Sequence, residues 1–474
     1  MLPFPVRQRA LRREIPMAQR VRRAASPPAS PSAMSPAAAP TPRPAQAELT
    51  AQPASRRAGF AELLREPNLR RLWVSQLCSS AGESLAQIAM PLFVFSLTGS
   101  ARMVGFMALV LILPRVVLSP ITGLLADRLD RRTLMMSADA ARLALVVLVP
   151  FSTAIWHLAI LAILIAVGNA VGRPAELAAV PSVAGKERLV AALSLVQVSN
   201  GVIRIAIPAA GAGIVAALGP GPVFWVQALC FAGSLLALRK LVIPRLSAVD
   251  ADRPFGTEGM VQAAKAEMWA GIRAIRQVPI VRGVTTSESL FQIAAAAMTV
   301  AGVIYTQETL RLGDRADAAF ALMTTFMAAG AVTGALLAHR VEARIGRPVM
   351  LALGYLGPFF LLSAAFSPAM PVIYAAWFCF GILDAMAVIS FQAYLAEAVP
   401  EDERGRVYAA WGAIVSLAAA LAFYGMGLLV PLVGAPAAFA MAGLTVGIGG
   451  PVSLWLTGAI RSVRQSADEA PRSP

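Results

Sequence analysis

From about residue 70 almost to its end, this chain repeats apolar segments long enough to cross a lipid bilayer, separated by short turns dense in charge, glycine and proline. A bilayer core about 30 Å thick takes roughly 20 apolar residues per helix. The change from apolar to charged is sharpest at Gly123-Leu-Leu-Ala-Asp127-Arg128-Leu-Asp130-Arg131-Arg132, which lies between an apolar run from about Val104 to Ala126 and another from about Leu134 to Trp156. That cluster reads as a two-helix turn at a membrane face. A large soluble enzyme with buried helices does not sustain such a pattern, and the composition agrees: 57% hydrophobic, 14% charged, mean hydropathy +0.67.

A formal charge of +15 and a pI near 10.9 raise the question of nucleic acid, but the basic residues sit mainly in the N-terminal leader and at the turns. Arg7, Arg9, Arg12, Arg13, Arg20, Arg22 and Arg23 crowd a Pro/Ala/Ser-rich leader, others flank apolar spans as the positive-inside rule expects, and the aromatic interleaving of a nucleic-acid platform is missing. No nucleic acid partner is expected. Cys78, Cys230 and Cys379 lie inside apolar runs without ligand-like spacing and read as small core residues. His157 and His339 fall near span ends and form no metal constellation, so neither metal nor cofactor is expected. Residues 1–58 lack the apolar core and cleavage site of a secretory signal; their prolines favour a disordered Arg/Pro/Ala-rich tail. Met17 or Met34 as the initiator, or an Arg-rich transit peptide, remain open readings of that segment.

Apolar windows bounded by charge, Gly and Pro predict twelve transmembrane helices, so the expected fold class is an all-α membrane protein. The spans lie near 70–97, 104–126, 134–156, 158–181, 190–218 and 222–243, then near 281–305, 317–339, 349–367, 371–396, 407–431 and 435–458. Alternate turns carry Arg128/Arg131/Arg132, Lys186/Arg188, Arg239/Lys240, Arg340/Arg344/Arg347 and Arg404/Arg406, whereas the opposite turns are charge-poor. The positive-inside rule then puts both termini in the cytoplasm of a multi-pass protein of the cell (inner or plasma) membrane.

Residues 245–280 form a polar linker in which Met260, Ala263, Ala264, Trp269, Ile272 and Ile275 recur at helical spacing, which predicts an amphipathic helix lying against the membrane or the bundle. It divides the chain into a six-helix bundle over 59–244 and another over 281–460, followed by a cytoplasmic tail over 461–474. The halves echo each other. Gly123-Leu-Leu-Ala-Asp-Arg ends the second span and Gly334-Ala-Leu-Leu-Ala-His-Arg340 the eighth; Val180-Pro181 and Val399-Pro400 precede the fifth and eleventh. Landmarks in register point to a duplicated six-helix unit.

Gly123, Asp127, Arg128, Arg131 and Arg132 supply the signature turn between the second and third helices of the major facilitator superfamily, which the chain resembles; Asp130 stands where that motif has glycine. Leu72-Trp73-Val-Ser-Gln76, Thr98-Gly99-Ser100, Leu113-Pro114-Arg115, Asp139-Ala-Ala-Arg142 and Arg173-Pro174-Ala175 are similar to the exporter branch that includes enterobactin exporters and macrolide efflux pumps. The resemblance implies twelve helices in two repeats, spans one, four, seven and ten around a central cavity, and Asp127 near the start of span eleven at Arg406-Val407, where a helix N-terminus favours a carboxylate. Asp127 would there latch a cytoplasmic gate, beside the plainer role of the arginines as topology anchors.

An ionisable side chain at mid-bilayer costs about 2.5 to 3.5 kcal/mol on insertion scales, so each needs a partner, a cavity or a proton. Glu83 on span one and Asp384 on span ten fall near the midplane; Gln87 follows Glu83 by one turn, and Glu288 and Gln292 share a face of span seven. Glu83 leads as the proton-coupling residue, followed by Asp384 and Glu288, with Gln87, Gln292, Arg115, Arg173 and Arg204 completing the polar lining. Arg115 and Arg204 must find anions, either internally, for example Arg204 with Glu83, or in an anionic substrate. Asp139 and Arg142, three apart, read as a local ion pair. Span five places Pro208, Gly211 and Gly213 after Arg204, a partial match to the resembled family's antiporter motif with Ile207 in the place of a glycine.

The resemblance implies secondary active transport: a proton-coupled antiporter exporting small amphipathic molecules such as drugs or siderophores, acting as a monomer in the lipid bilayer with substrate and protons as partners. No phosphate-binding Gly-Lys-Ser/Thr loop occurs. An importer or a lipid or metabolite flippase of the same fold, a non-transporting receptor, and a membrane-embedded enzyme are the alternatives. Asp127→Asn is expected to lower transport at normal expression; full transport in a vesicle flux assay would remove the latch.

Overall fold

The computed structural model describes residues 60–243, 257–400 and 403–459, with the side chains at 60–61, 119–128, 186–187, 190, 204–205, 209, 257–261 and 263–265 outside that description. The expected tails, 1–58 and 461–474, lie outside the described residues. Every described regular element is a helix. That is the form in which a segment in lipid pairs all its own backbone groups.

Among the described residues, eleven segments are long and apolar enough to cross a membrane: Pro67–Thr98, Ala101–Leu118, Arg131–Phe151, Ile155–Gly185, Ala191–Leu218, Pro279–Thr309, Gly313–Ile345, Arg347–Phe366, Met370–Ala398, Arg404–Val433 and Ala435–Leu456. The second continues as helix to Arg128. A sixteen-residue apolar helix, Val223–Leu238, occupies the sixth place; it is shorter than the 222–243 expected because Arg239 and Lys240 end it. Counted in chain order, these are spans one to twelve. Spans four and five join through Gly185, whose φ of 69° lies in the left-handed region where glycine carries no Cβ penalty. Phe366, Leu432, Leu336 and Leu229 are 81%, 76%, 74% and 71% exposed, an apolar exterior that suits lipid.

The basic residues of the turns do more than mark a membrane face. Arg131 Nη1 donates to the Ala178 carbonyl at 2.8 Å and to the Ser182 hydroxyl. Arg132 Nε donates to the Leu238 carbonyl at 3.2 Å, at the end of span six. Arg404 donates to Ala396 and Val399 carbonyls at the end of span ten, and Arg282 to the Thr457 carbonyl after span twelve. Arg131 thus ties span three to the interior of span four, whereas Arg132, Arg404 and Arg282 satisfy carbonyls at helix C-terminal ends. Asp130, in the place of the signature glycine, caps span three: its carboxylate accepts from the Thr133 amide at 2.9 Å and hydroxyl at 2.6 Å.

Between spans six and seven, helix Thr257–Gln277 lies against the bundle. Ile272 and Ile275 pack with Leu395, Val399, Val407 and Ala410, where span ten ends and span eleven begins, while Trp269 stays exposed. In the C-terminal half, spans eight and ten meet backbone to backbone. A Cβ on Gly330 would stand 2.0 Å from the Phe378 carbonyl oxygen, and one on Gly381 would stand 2.1 Å from that of Met327. The halves touch in the same manner at the arginine-poor ends of spans two and eleven, where a Cβ on Gly105 would lie 2.5 Å from the Phe423 carbonyl oxygen and 2.9 Å from Gly427 Cα. Close approach through small residues is how helices associate where lipid removes the hydrophobic drive.

Gly330→Val is expected to destabilise the bundle by about 1 to 3 kcal/mol, the usual cost of overpacking. Gly425→Val, where a Cβ meets nothing within 4 Å, is the control; equal unfolding midpoints in detergent for the two variants would refute the packing account.

Candidate functional site

Two features occupy the middle of the bundle, and Glu83 belongs to both. The first is an ionic cluster inside the N-terminal half. Arg142 on span three has 1% of its side chain exposed. Its Nη1 donates to Glu83 Oε1 at 3.0 Å and to Asn169 Oδ1 at 2.8 Å, its Nη2 donates to Asp139, and Glu176 Oε1 lies 3.9 Å from Nη2. Its guanidinium carbon lies 4.7 Å from the centroid of the Phe231 ring, a cation–π distance. Span four makes room for it, since a Cβ on Gly168 would come within 2.8 Å of Arg142 Cγ.

The carboxylates are themselves held. Asp139 accepts from the Ser79 and Ser234 hydroxyls, and Ser234 bonds Ser75 at 2.8 Å. Glu176 Oε2 lies 3.4 Å from Arg173 Nη1, whose side chain is 45% exposed. Three carboxylates therefore face two guanidinium groups, which leaves one negative charge in excess when all are ionised. Asp139 and Glu176 are almost fully buried; Glu83 is 31% exposed.

The second feature is a cavity of about 460 Å³ between the two halves, within the size range of small-molecule sites. Its polar lining comprises Glu83, Ser84 and Gln87 from span one, Arg115 from span two, Asn169 from span four, Gln227 from span six, Thr299 from span seven and Thr324 from span eight; Met90, Met107, Ile112, Phe224, Met327 and Phe423 are among its apolar walls. Thr299 sits where span seven loosens into a π-helical turn, Ala297–Ala301, a distortion frequent at functional sites. The Gly105 and Gly427 contact lies beyond it toward the arginine-poor ends of the helices.

Residues 72–360 and 293–474 match the family model of the Major Facilitator Superfamily. The chain belongs to the Major Facilitator Superfamily. It is 25% identical over 384 residues to the uncharacterized MFS-type transporter YfiS of Bacillus subtilis (strain 168), covering 77% of this chain and 87% of that one. To the multidrug efflux pump Tap of Mycolicibacterium fortuitum it is 25% identical over 357 residues, 73% and 85% of the two chains. The crystal structure of the nucleoside transporter NupG superposes with a TM-score of 0.64 at 10% identity, over 82% of this chain and 98% of that one, a likeness of fold. The chain is thus a membrane transporter of the superfamily, with efflux pumps among its low-identity relatives.

Within this superfamily fold the expected site residues separate. Glu83, Gln87 and Arg115 line the cavity, and Asp139 and Arg142 pair as their spacing suggested. Arg173 lies beside the cluster on Glu176. Glu83 pairs with Arg142; the Arg204 side chain, weighed as its partner, and those of Gly123, Asp127 and Arg128 lie outside the described residues. Span ten does not line the cavity, nor do Glu288, Gln292 and Asp384. The glycine contacts draw span ten against span eight, and Glu288 and Asp384 interact electrostatically with each other. Glu176, Asn169 and Gln227 escaped the sequence reading. For Glu176 a signal existed: an acid three residues after Arg173, one turn away inside an apolar span.

Removing one member of a buried ionic set costs about 3 to 5 kcal/mol because its partners stay uncompensated. Arg142→Leu is expected to lose that much, and Arg142→Leu with Asp139→Leu to lose less than the sum of the single variants. Additive losses in denaturant unfolding would show that the cluster does not couple them.

Proposed function

We propose that the chain is a proton-coupled exporter of small amphipathic molecules, working as an antiporter by alternating access. The observation that carries this reading is the double membership of Glu83, which lines the cavity and pairs with Arg142 at 3.0 Å. A proton bound there neutralises the excess negative charge of the cluster and weakens the hold of Arg142 on span one. Substrate entering the cavity and proton leaving Glu83 are then linked through one side chain.

Four further observations support it. The cavity mixes a few polar groups with methionine, isoleucine and phenylalanine walls, the lining of sites that take amphipathic molecules. Gly105 and Gly427 bring spans two and eleven backbone to backbone across the two halves, a close contact about which one half can rock against the other. The relative named as a multidrug efflux pump favours export, and the placement of Arg131, Arg132, Arg344, Arg347, Arg404 and Arg406 on one face favours a cytoplasmic orientation for that face.

In proteoliposomes carrying an imposed proton gradient, the wild-type chain is expected to move members of a panel of amphipathic antibiotics, and dissipating the gradient to stop it. Glu83→Gln is expected to reduce gradient-driven flux at least about tenfold, the loss of a group that transfers a proton. Pumping that survives without any ion gradient would overturn the proposal.

A further inference from the structure

We infer that the cavity takes amphipathic organic anions, with the Arg115 guanidinium as the residue that receives the anionic group. This inference rests on the export reading above and narrows its substrate class.

Arg115 stands midway along the helix Ala101–Arg128, at a depth where an unpaired guanidinium is unfavourable. Successive residues of a helix are turned by about 100°, so Val104, Ala108, Leu111 and Arg115 form one stripe, and all four line the cavity. Leu113 and Val117, on the opposite side, are 47% and 59% exposed. Arg115, itself exposed, therefore lines the cavity with the other residues of that stripe.

Its charge has no direct partner among the described residues. Among the described residues Arg115 has no hydrogen-bond or ion-pair partner, while Glu83, the other charged residue of the lining, is engaged by Arg142. The rest of the polar lining is neutral: serine, threonine, asparagine and glutamine. The one cationic group of the lining is thus a planar, forked donor without a direct partner among the described residues, and that fork matches a carboxylate, sulfonate or phosphate. Beside it, Leu111 and Ile112 on the same span and Met107 one turn further offer an apolar wall for the body of such a molecule. Arg142, of the same chemistry and also within the bundle, has three carboxylates around it; among the described residues Arg115 is paired with none.

The test uses the full-length chain in nanodiscs and three fluorescent probes with one body: 4-(1-pyrenyl)butyrate, its butyramide and the corresponding butylammonium. The wild type is expected to bind the butyrate about tenfold or more tighter than either of the others, as a charge-assisted pair commands over a neutral contact. Arg115→Gln is expected to abolish that preference, and Arg115→Lys, which keeps the charge, to retain most of it. Equal binding of butyrate and butyramide by the wild type overturns the inference irrespective of how the variants fold, as does a preference for the ammonium. The measurement needs no gradient. A chain that pumps the ammonium probe in a Glu83-dependent manner keeps the export reading and loses this one; a chain that binds butyrate through Arg115 but never pumps does the reverse.

Discussion

The buried guanidinium of Arg142 is the interaction on which the N-terminal half depends. Its partners come from spans one, three, four and six: Glu83, Asp139, Asn169 with Glu176, and Phe231. In lipid, apolar side chains gain little by leaving one apolar surface for another, so polar contacts and close packing decide how helices are turned. Neither the arginine nor the carboxylates tolerate that depth alone. A span rotated by a single residue, about 100°, would carry its acid out of reach. The cluster consequently fixes the rotation of four helices about their own axes, and with it the face that span one shows to the cavity.

The two halves reach rigidity by different means. In the C-terminal half, spans eight and ten are joined by backbone contacts at Gly330, Gly334 and Gly381, and the acids Glu288 and Asp384 neighbour each other. Charge holds one body and close glycine packing the other. On the proposed reading this asymmetry matters, because a proton arriving at Glu83 alters the contacts of spans three, four and six through Arg142. Movement would then begin in the N-terminal half, with the glycine-packed half as the frame against which it turns.

The spans were legible in the sequence because the bilayer sets one length for all of them, and charged turns mark where each stops. Arg239 and Lys240 show how local that rule is, ending span six several residues before the apolar window alone suggested. The pair of Asp139 and Arg142 was legible for a similar reason: three residues on one helix lie on one face whatever the tertiary arrangement. The partner of Glu83 was not, because it depends on how spans one and three are turned toward each other, and hydropathy is blind to rotation. Depth put Asp384 at the same level as Glu83, and Glu288 shared a face of span seven with Gln292, yet neither acid is among the residues that line the cavity. Glu176 carried only a local sign, its spacing from Arg173, and its meaning came from Arg142 on another span.

Arg115 and Arg142 carry the lesson further. Both lie in apolar helices, and a scale of insertion costs treats them alike. Their surroundings separate them. Arg142 is enclosed by acids, a ring and an asparagine, so its charge is spent on holding helices together. Arg115 shares its stripe with Val104, Ala108 and Leu111 and looks across a cavity whose other charge is already engaged. Depth in the bilayer requires only that an arginine find an anion or water; the face of the helix decides whether the fold supplies the anion or leaves that place to a ligand.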